Sequence, residues 1–151
     1  MGILNENVTV SQLSAADRAC FIGTITPHLF PKGWELYKFT EYPLTGTSVS
    51  PWWSSVRPAA ASDPGLAGTL ERAKRLKVDP QRFARVRSAV TKQWNGMDRL
   101  QTVRLMVPVY GFVGRCSAQR IDKSLAENVV FIGGAWQVFI PGLARTDVME
   151  F

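Results

Sequence analysis

The sequence predicts an α+β fold in one compact domain spanning residues 1–151, and three observations carry that prediction. A chain of 151 residues is long enough to bury one core and too short for two. Apolar residues fall at helical spacing through Leu66, Leu70, Ala73 and Leu76, then alternate from Gln101 onward. A helix, a strand and a helix pair thus precede a β-rich half, and such segregation marks α+β rather than α/β proteins.

Residues 1–14 are polar and acidic, which predicts a flexible N-terminal segment and no classical export signal. Ser14 is a candidate N-cap for a short helix with Asp17 in its first turn and Gly23 as its stop, so that Leu13, Cys20 and Phe21 face the core. Thr26 to Pro31 reads as a rigid proline-bounded turn carrying His28, the single histidine. Trp34 to Thr40 is aromatic-rich and reads as a strand, with Tyr37 and Lys38 on opposite faces. Thr45 to Ser55 is turn-rich and contains Ser50-Pro51-Trp52-Trp53-Ser54. Adjacent tryptophans in an extended segment cannot both point inward, so one of them meets solvent, a ligand or the outside of the core.

Asp63-Pro64 and Asp79-Pro80 each open a helix, over Gly65 to Lys77 and onward to about Trp94. The pair displays Arg72, Lys74, Arg75, Arg82, Arg85 and Lys92, a basic face suited to solvent or to a nucleic-acid backbone. From Gln101 a long strand places Val103, Leu105, Val107 and Val109 on one face, with Gly111 and Gly114 loosening the chain beyond it. Gln119 to Asn128 is a polar connection. It leads through Val129 to Ile132 and the pair Gly133-Gly134 into a strand in which Trp136, Val138 and Ile140 oppose Ala135, Gln137 and Phe139. Residues 145–151 read as a last strand.

Lys plus Arg number 18 against 12 Asp plus Glu, a net charge of +6 that favours anionic partners. One histidine and two distant cysteines, Cys20 and Cys116, supply no metal-ligand spacing, so no metal site is expected and the thiols are expected reduced. The stretches Gly-x-x-x-x-Gly-Lys, Gly-x-Gly-x-x-Gly and Gly-x-Ser-x-Gly are absent. No apolar run reaches the roughly 18 residues of a membrane span. Gln137, the one polar side chain of its strand, sits either over a ligand cleft or on a half-exposed sheet face.

Val107-Pro108-Val109, then Gly114, then Gly133-Gly134-Ala135-Trp136-Gln137 resembles the C-terminal half of the NAD-consuming toxin fold. That group includes the tuberculosis necrotising toxin type of NAD glycohydrolase and the bacterial ADP-ribosyltransferases. The resemblance implies a split, mainly antiparallel sheet and NAD as a substrate. It implies Gln137 as the catalytic residue, and a dinucleotide site drawn from Tyr37, Lys38, Ser50, Trp52, Trp53, Ser54, Gly133 and Gly134, between the strand of Tyr37 and that of Gln137. Phe139 stands where arginine-modifying transferases carry a second acid, which leaves water or another acceptor, a protein or an RNA, to take the ADP-ribose. A toxin of this kind implies action in the cytoplasm of a target cell after delivery, and an inhibitory immunity protein as a partner. Two other readings stay open: a nucleic-acid-binding domain using the helix pair over 65–94, and a protein-interaction or inhibitor module centred on Trp52 and Trp53.

Overall fold

The computed structural model describes residues 2–40, 44–77, 99–117, 119–120, 130–131 and 135–151. The helix expected from Asp79 to about Trp94, the connection over 121–128 and the Gly133-Gly134 pair lie outside these residues. In chain order the elements are α1 (Ala15–Ala19), β1 (Phe21–Phe30), β2 (Glu35–Thr40), β3 (Trp52–Ser55), α2 (Gly65–Arg75) and β4 (Arg99–Leu105). They continue with β5 (Val109–Cys116), β6 (Gln119–Arg120), β7 (Val130–Phe131), β8 (Trp136–Phe139) and β9 (Val148–Glu150). No helix among the described residues is long and apolar enough to cross a membrane.

Seven strands form one sheet in the order β1-β5-β8-β3-β2-β4-β9, antiparallel at every step. β6 and β7 pair separately. The large sheet has two halves, β1-β5-β8 and β2-β4-β9, bridged by the short β3, so the α+β class and the antiparallel core both stand. Its inner face is the core: Phe30, Leu36, Trp53, Val103, Leu105, Val109, Val113, Val138 and Val148 come from all seven strands and form one buried cluster. β1 and β2 are four strand spacings apart, about 19 Å in a flat sheet. Yet the Phe30 and Trp34 rings are 5.4 Å apart. The sheet therefore curls until its two halves close on each other, which lets one face serve as a two-layer core.

The outer face carries two separate covers. Val8, Val10 and Leu13 pack with Phe21, Phe112, Phe139 and Trp52 over the β5-β8 half. Leu66 of α2 packs with Tyr37, Phe39 and Val56 over the β2-β3 half. Asp63 ties down the approach to α2 rather than capping it: Oδ1 accepts from Gly65 N at 2.9 Å and Oδ2 from Ala59 N at 2.9 Å, while the N-cap position is Pro64. Gly65 has φ +67°, and a Cβ there would lie 2.6 Å from Val56 O, so only glycine fits. Ser14 caps α1 as expected, accepting from Asp17 N, and the two cysteines are not bridged.

Four expectations are corrected. Residues 26–31 are not a turn; Thr26 to Phe30 continue β1, and Pro27 fits because β1 is an outer strand of the sheet, where a missing N–H costs no ladder bond. The long strand from Gln101 ends at Leu105, so Met106 and Val107 are exposed in a turn and Val109 reaches the inner face from β5. Gly111 and Gly114 do not loosen the chain; they lie within β5. The segment 2–14 is not a loose leader. Leu4 bridges to Val109, and Asn5 Nδ2 donates to Tyr110 O at 3.1 Å and Pro141 O at 2.8 Å.

Candidate active site

The strand registers sort the sequence-predicted residues onto two faces. Tyr37 pairs with Ser54, Gly114 pairs with Gln137, and Trp52 pairs with Phe139. The β3-β8 ladder runs from Trp52 with Phe139 to Trp53 with Val138 and ends there, one step short of Ser54 and Gln137. Tyr37 with Ser54, and Gln137 with Gly114, are therefore two cross-strand pairs in a row on the same outer face, with Trp52 on that face too. Tyr37 and Gln137 belong to β2 and β8, which are not neighbours; β3 lies between them and supplies Ser54 and Trp52.

Gln137 is half-buried and its amide is fixed at one end. Nε2 donates to Cys20 O at 2.9 Å, and the same carbonyl accepts from Ser117 N at 2.9 Å. Ser117 Oγ donates to Ala19 O at 2.8 Å. Residues from β8 and from just after β5 thus satisfy the carbonyls left open at the C-terminal end of α1. The other end of the amide, Oε1, has no hydrogen-bond donor among the described residues. The space over Gly114 is taken by the Phe21 ring and the Thr24 carbonyl: a Cβ there would lie 2.6 Å from Phe21 Cδ1 and 3.2 Å from Thr24 O.

At the opposite end of the row the Tyr37 hydroxyl lies 3.5 Å from Thr69 Oγ1, which itself donates to Gly65 O at 2.8 Å. Burial pushes the Tyr37 hydroxyl above its ordinary pKa, opposed by hydrogen bonds from Thr69 and Ser54, so it is a neutral phenol at physiological pH. Trp52 stacks on Phe139 at 4.3 Å and meets Phe21 at 5.6 Å. The result is a strip of neutral hydroxyl and amide groups with an aromatic flank, bracketed by the end of α1 and by α2. Such a strip can hydrogen-bond a sugar and stack against a heteroaromatic ring without supplying a strong acid.

The rest of the predicted set is elsewhere. Trp53 is buried on the inner face, its Nε1 donating to Ser50 O at 2.7 Å. Lys38 is on that inner face too, its Nζ 4.2 Å from the Trp53 ring centroid. Ser50 is exposed at the turn into β3, where its Oγ accepts from Trp52 N at 3.3 Å. Sequence reasoning missed Thr69 and the Cys20 carbonyl, since both join the row only through tertiary packing. It also missed the inner-face pair of Arg115 and Trp136, whose guanidinium and ring are 5.0 Å apart and which both donate to Ser62 Oγ, at 3.0 and 2.9 Å.

No family model and no curated protein matches the chain. Solved structures do. Rhs1-CT, in complex with its cognate immunity protein RhsI1, aligns at 14% identity over 87% of this chain and 80% of that one, with a TM-score of 0.50. Tse6, in complex with Tsi6, aligns at 12% identity over 93% of this chain and 85% of that one, with a TM-score of 0.44. The likeness to Rhs1-CT is one of fold: a small α+β domain built on an antiparallel sheet.

Proposed function

We propose that this domain is a toxin or effector that cleaves NAD at the nicotinamide–ribose bond, as a glycohydrolase or ADP-ribosyltransferase. The observation that carries the reading is that Tyr37, Ser54 and Gln137 share the outer face, with the Gln137 amide anchored through Nε2 to Cys20 O and its Oε1 without a donor among the described residues. In the reaction the C1′–N bond breaks, its electron pair leaves with neutral nicotinamide, and water or another acceptor forms the new bond at C1′. Because the pyridinium already carries positive charge, the leaving group needs no proton. The remaining task is to orient the ribose and stabilise an oxocarbenium-like transition state. Gln137 Oε1 accepts from a ribose hydroxyl, the Ser54 and Tyr37 hydroxyls complete the cradle, and Trp52 flanks the ring. The likeness to a protein held by a cognate immunity protein supports an inhibitory protein as a partner here. In this assignment Trp53 supports the site from within the core, and Lys38 is not part of it.

Incubating the purified protein with NAD should release nicotinamide. Gln137→Ala should lower kcat about 10²-fold while the thermal midpoint moves by only a few degrees. Full activity in that variant, or no nicotinamide from the wild type, would overturn the proposal.

A further inference from the structure

The inner face holds a second arrangement of polar groups that the outer row does not use. Lys38 on β2 and Gln101 on β4 are paired across the sheet. Both lie on the side of Leu36 and Val103, facing the closed core. Gln101 is only 4% exposed, and its Nε2 has no hydrogen-bond partner. Leaving such a donor buried and unmet is costly, so native structures seldom do it without a reason. Lys38 is half-buried. Among the described residues it meets no carboxylate within ion-pair distance, its one charged-group contact being the Trp53 ring. Two adjacent side chains thus place N–H donors on the inner face, the buried amide of Gln101 with no acceptor among the described residues and the half-buried ammonium of Lys38 against the Trp53 ring.

We infer that Lys38 and Gln101 form a binding site for a small oxyanion, a carboxylate or inorganic phosphate, on the curled inner face of the sheet, with the Trp53 ring as its wall. The chemistry of the donors sets the ligand class. An ammonium group needs a compensating negative charge, and an amide N–H beside it needs a lone pair; a small oxyanion provides both at once. Gln101 is held away from bulk water, and such contacts are strongest where water is excluded. Burial pulls the Lys38 amine down from its usual range to about 8, and a bound anion would raise it again by offsetting that desolvation. The site is independent of the outer row, so its failure would leave the NAD reading untouched.

Thermal unfolding in inorganic phosphate, and separately in acetate, against sodium chloride of equal ionic strength tests it. Phosphate, acetate or both should raise the midpoint of the wild type by about 3 °C at ten times the dissociation constant. The rise should vanish in Lys38→Met/Gln101→Leu and persist in Lys74→Met, which removes an exposed charge on α2. A response to phosphate alone identifies a phosphate site, and to acetate alone a carboxylate site. Equal responses in the wild type and the double variant, or no response to either anion, would overturn the inference. Should the double variant fail to fold, pulsed acetylation of the wild type decides. Saturating phosphate or acetate should slow modification of Lys38 several-fold and leave Lys74 unchanged, whereas equal rates with and without anion would refute the site.

Discussion

At the scale of single residues, the two ends of one amide carry most of the functional reading. Gln137 Nε2 holds the last carbonyl of α1, so Gln137→Glu would set a carboxylate oxygen against Cys20 O. That variant should lose about 1–3 kcal/mol in chemical denaturation, more than Gln137→Ala, because it adds repulsion to a lost hydrogen bond. A smaller effect for Glu than for Ala would mean that the Cys20 contact does not set the orientation of the amide. His28 makes a different point. It lies against Phe30 at 4.4 Å and Trp34 at 5.6 Å, its Nδ1 is buried without a partner, and burial lowers its pKa. A lowered value in the folded state means that the unfolded chain binds the proton more readily. Stability therefore falls as pH drops below the ordinary histidine value of about 6.5, down to the folded-state value. His28→Phe should remove that part of the acid dependence, which urea unfolding at a series of pH values would measure. An unchanged slope between pH 7 and 5, within about 0.3 kcal/mol, would assign the acid sensitivity to other groups.

Among the elements, β5 is the one whose glycines decide the packing. A Cβ at Gly111 would lie 2.8 Å from Ile140 Cγ1 and 3.0 Å from Phe139 O, the second being backbone that cannot easily retreat. Gly111→Ala should thus destabilise by about 2 kcal/mol or more, seen as a midpoint lower by about 4–8 °C. A neutral result would show that β8 can move away from β5. The same strand explains what was legible in the sequence. Alternation gave the faces of 101–105 and 135–140 correctly, because period two is a local property. The Ser14 cap was legible for the same reason, and so was the parting of Trp52 from Trp53. Register was not legible: that Tyr37 sits beside Ser54, or Lys38 beside Gln101, depends on which strands neighbour each other. β1 was missed because Pro27 and Pro31 argue against a strand unless the strand is an outer one, and sheet order is invisible to residue spacing. The candidate site was half legible. Gln137, Tyr37, Ser54 and Trp52 fall together, while Lys38 was grouped with them although alternation already placed it opposite Tyr37.

For the whole molecule, the N-terminal segment is the clasp. Asn5, at φ 63°, donates from one side chain to Tyr110 O at the start of β5 and to Pro141 O just past β8. Asn5→Ala forfeits both bonds and should cost about 2 kcal/mol, with amide exchange accelerating first around Tyr110 and residues 140–142. Uniform acceleration across the sheet would instead make the clasp part of a single cooperative unit. The order of the large sheet has a consequence of its own. Its outer strands are β1, which carries an irregular register between Ile22 and Thr26 and a proline at 27, and β9, which is three residues long. One offers a broken row of donors and the other hardly any row, so neither is a good template for a strand from another molecule. Self-assembly by edge-to-edge growth of the seven-stranded sheet, the usual hazard of an antiparallel sheet, is thereby resisted at both of its ends.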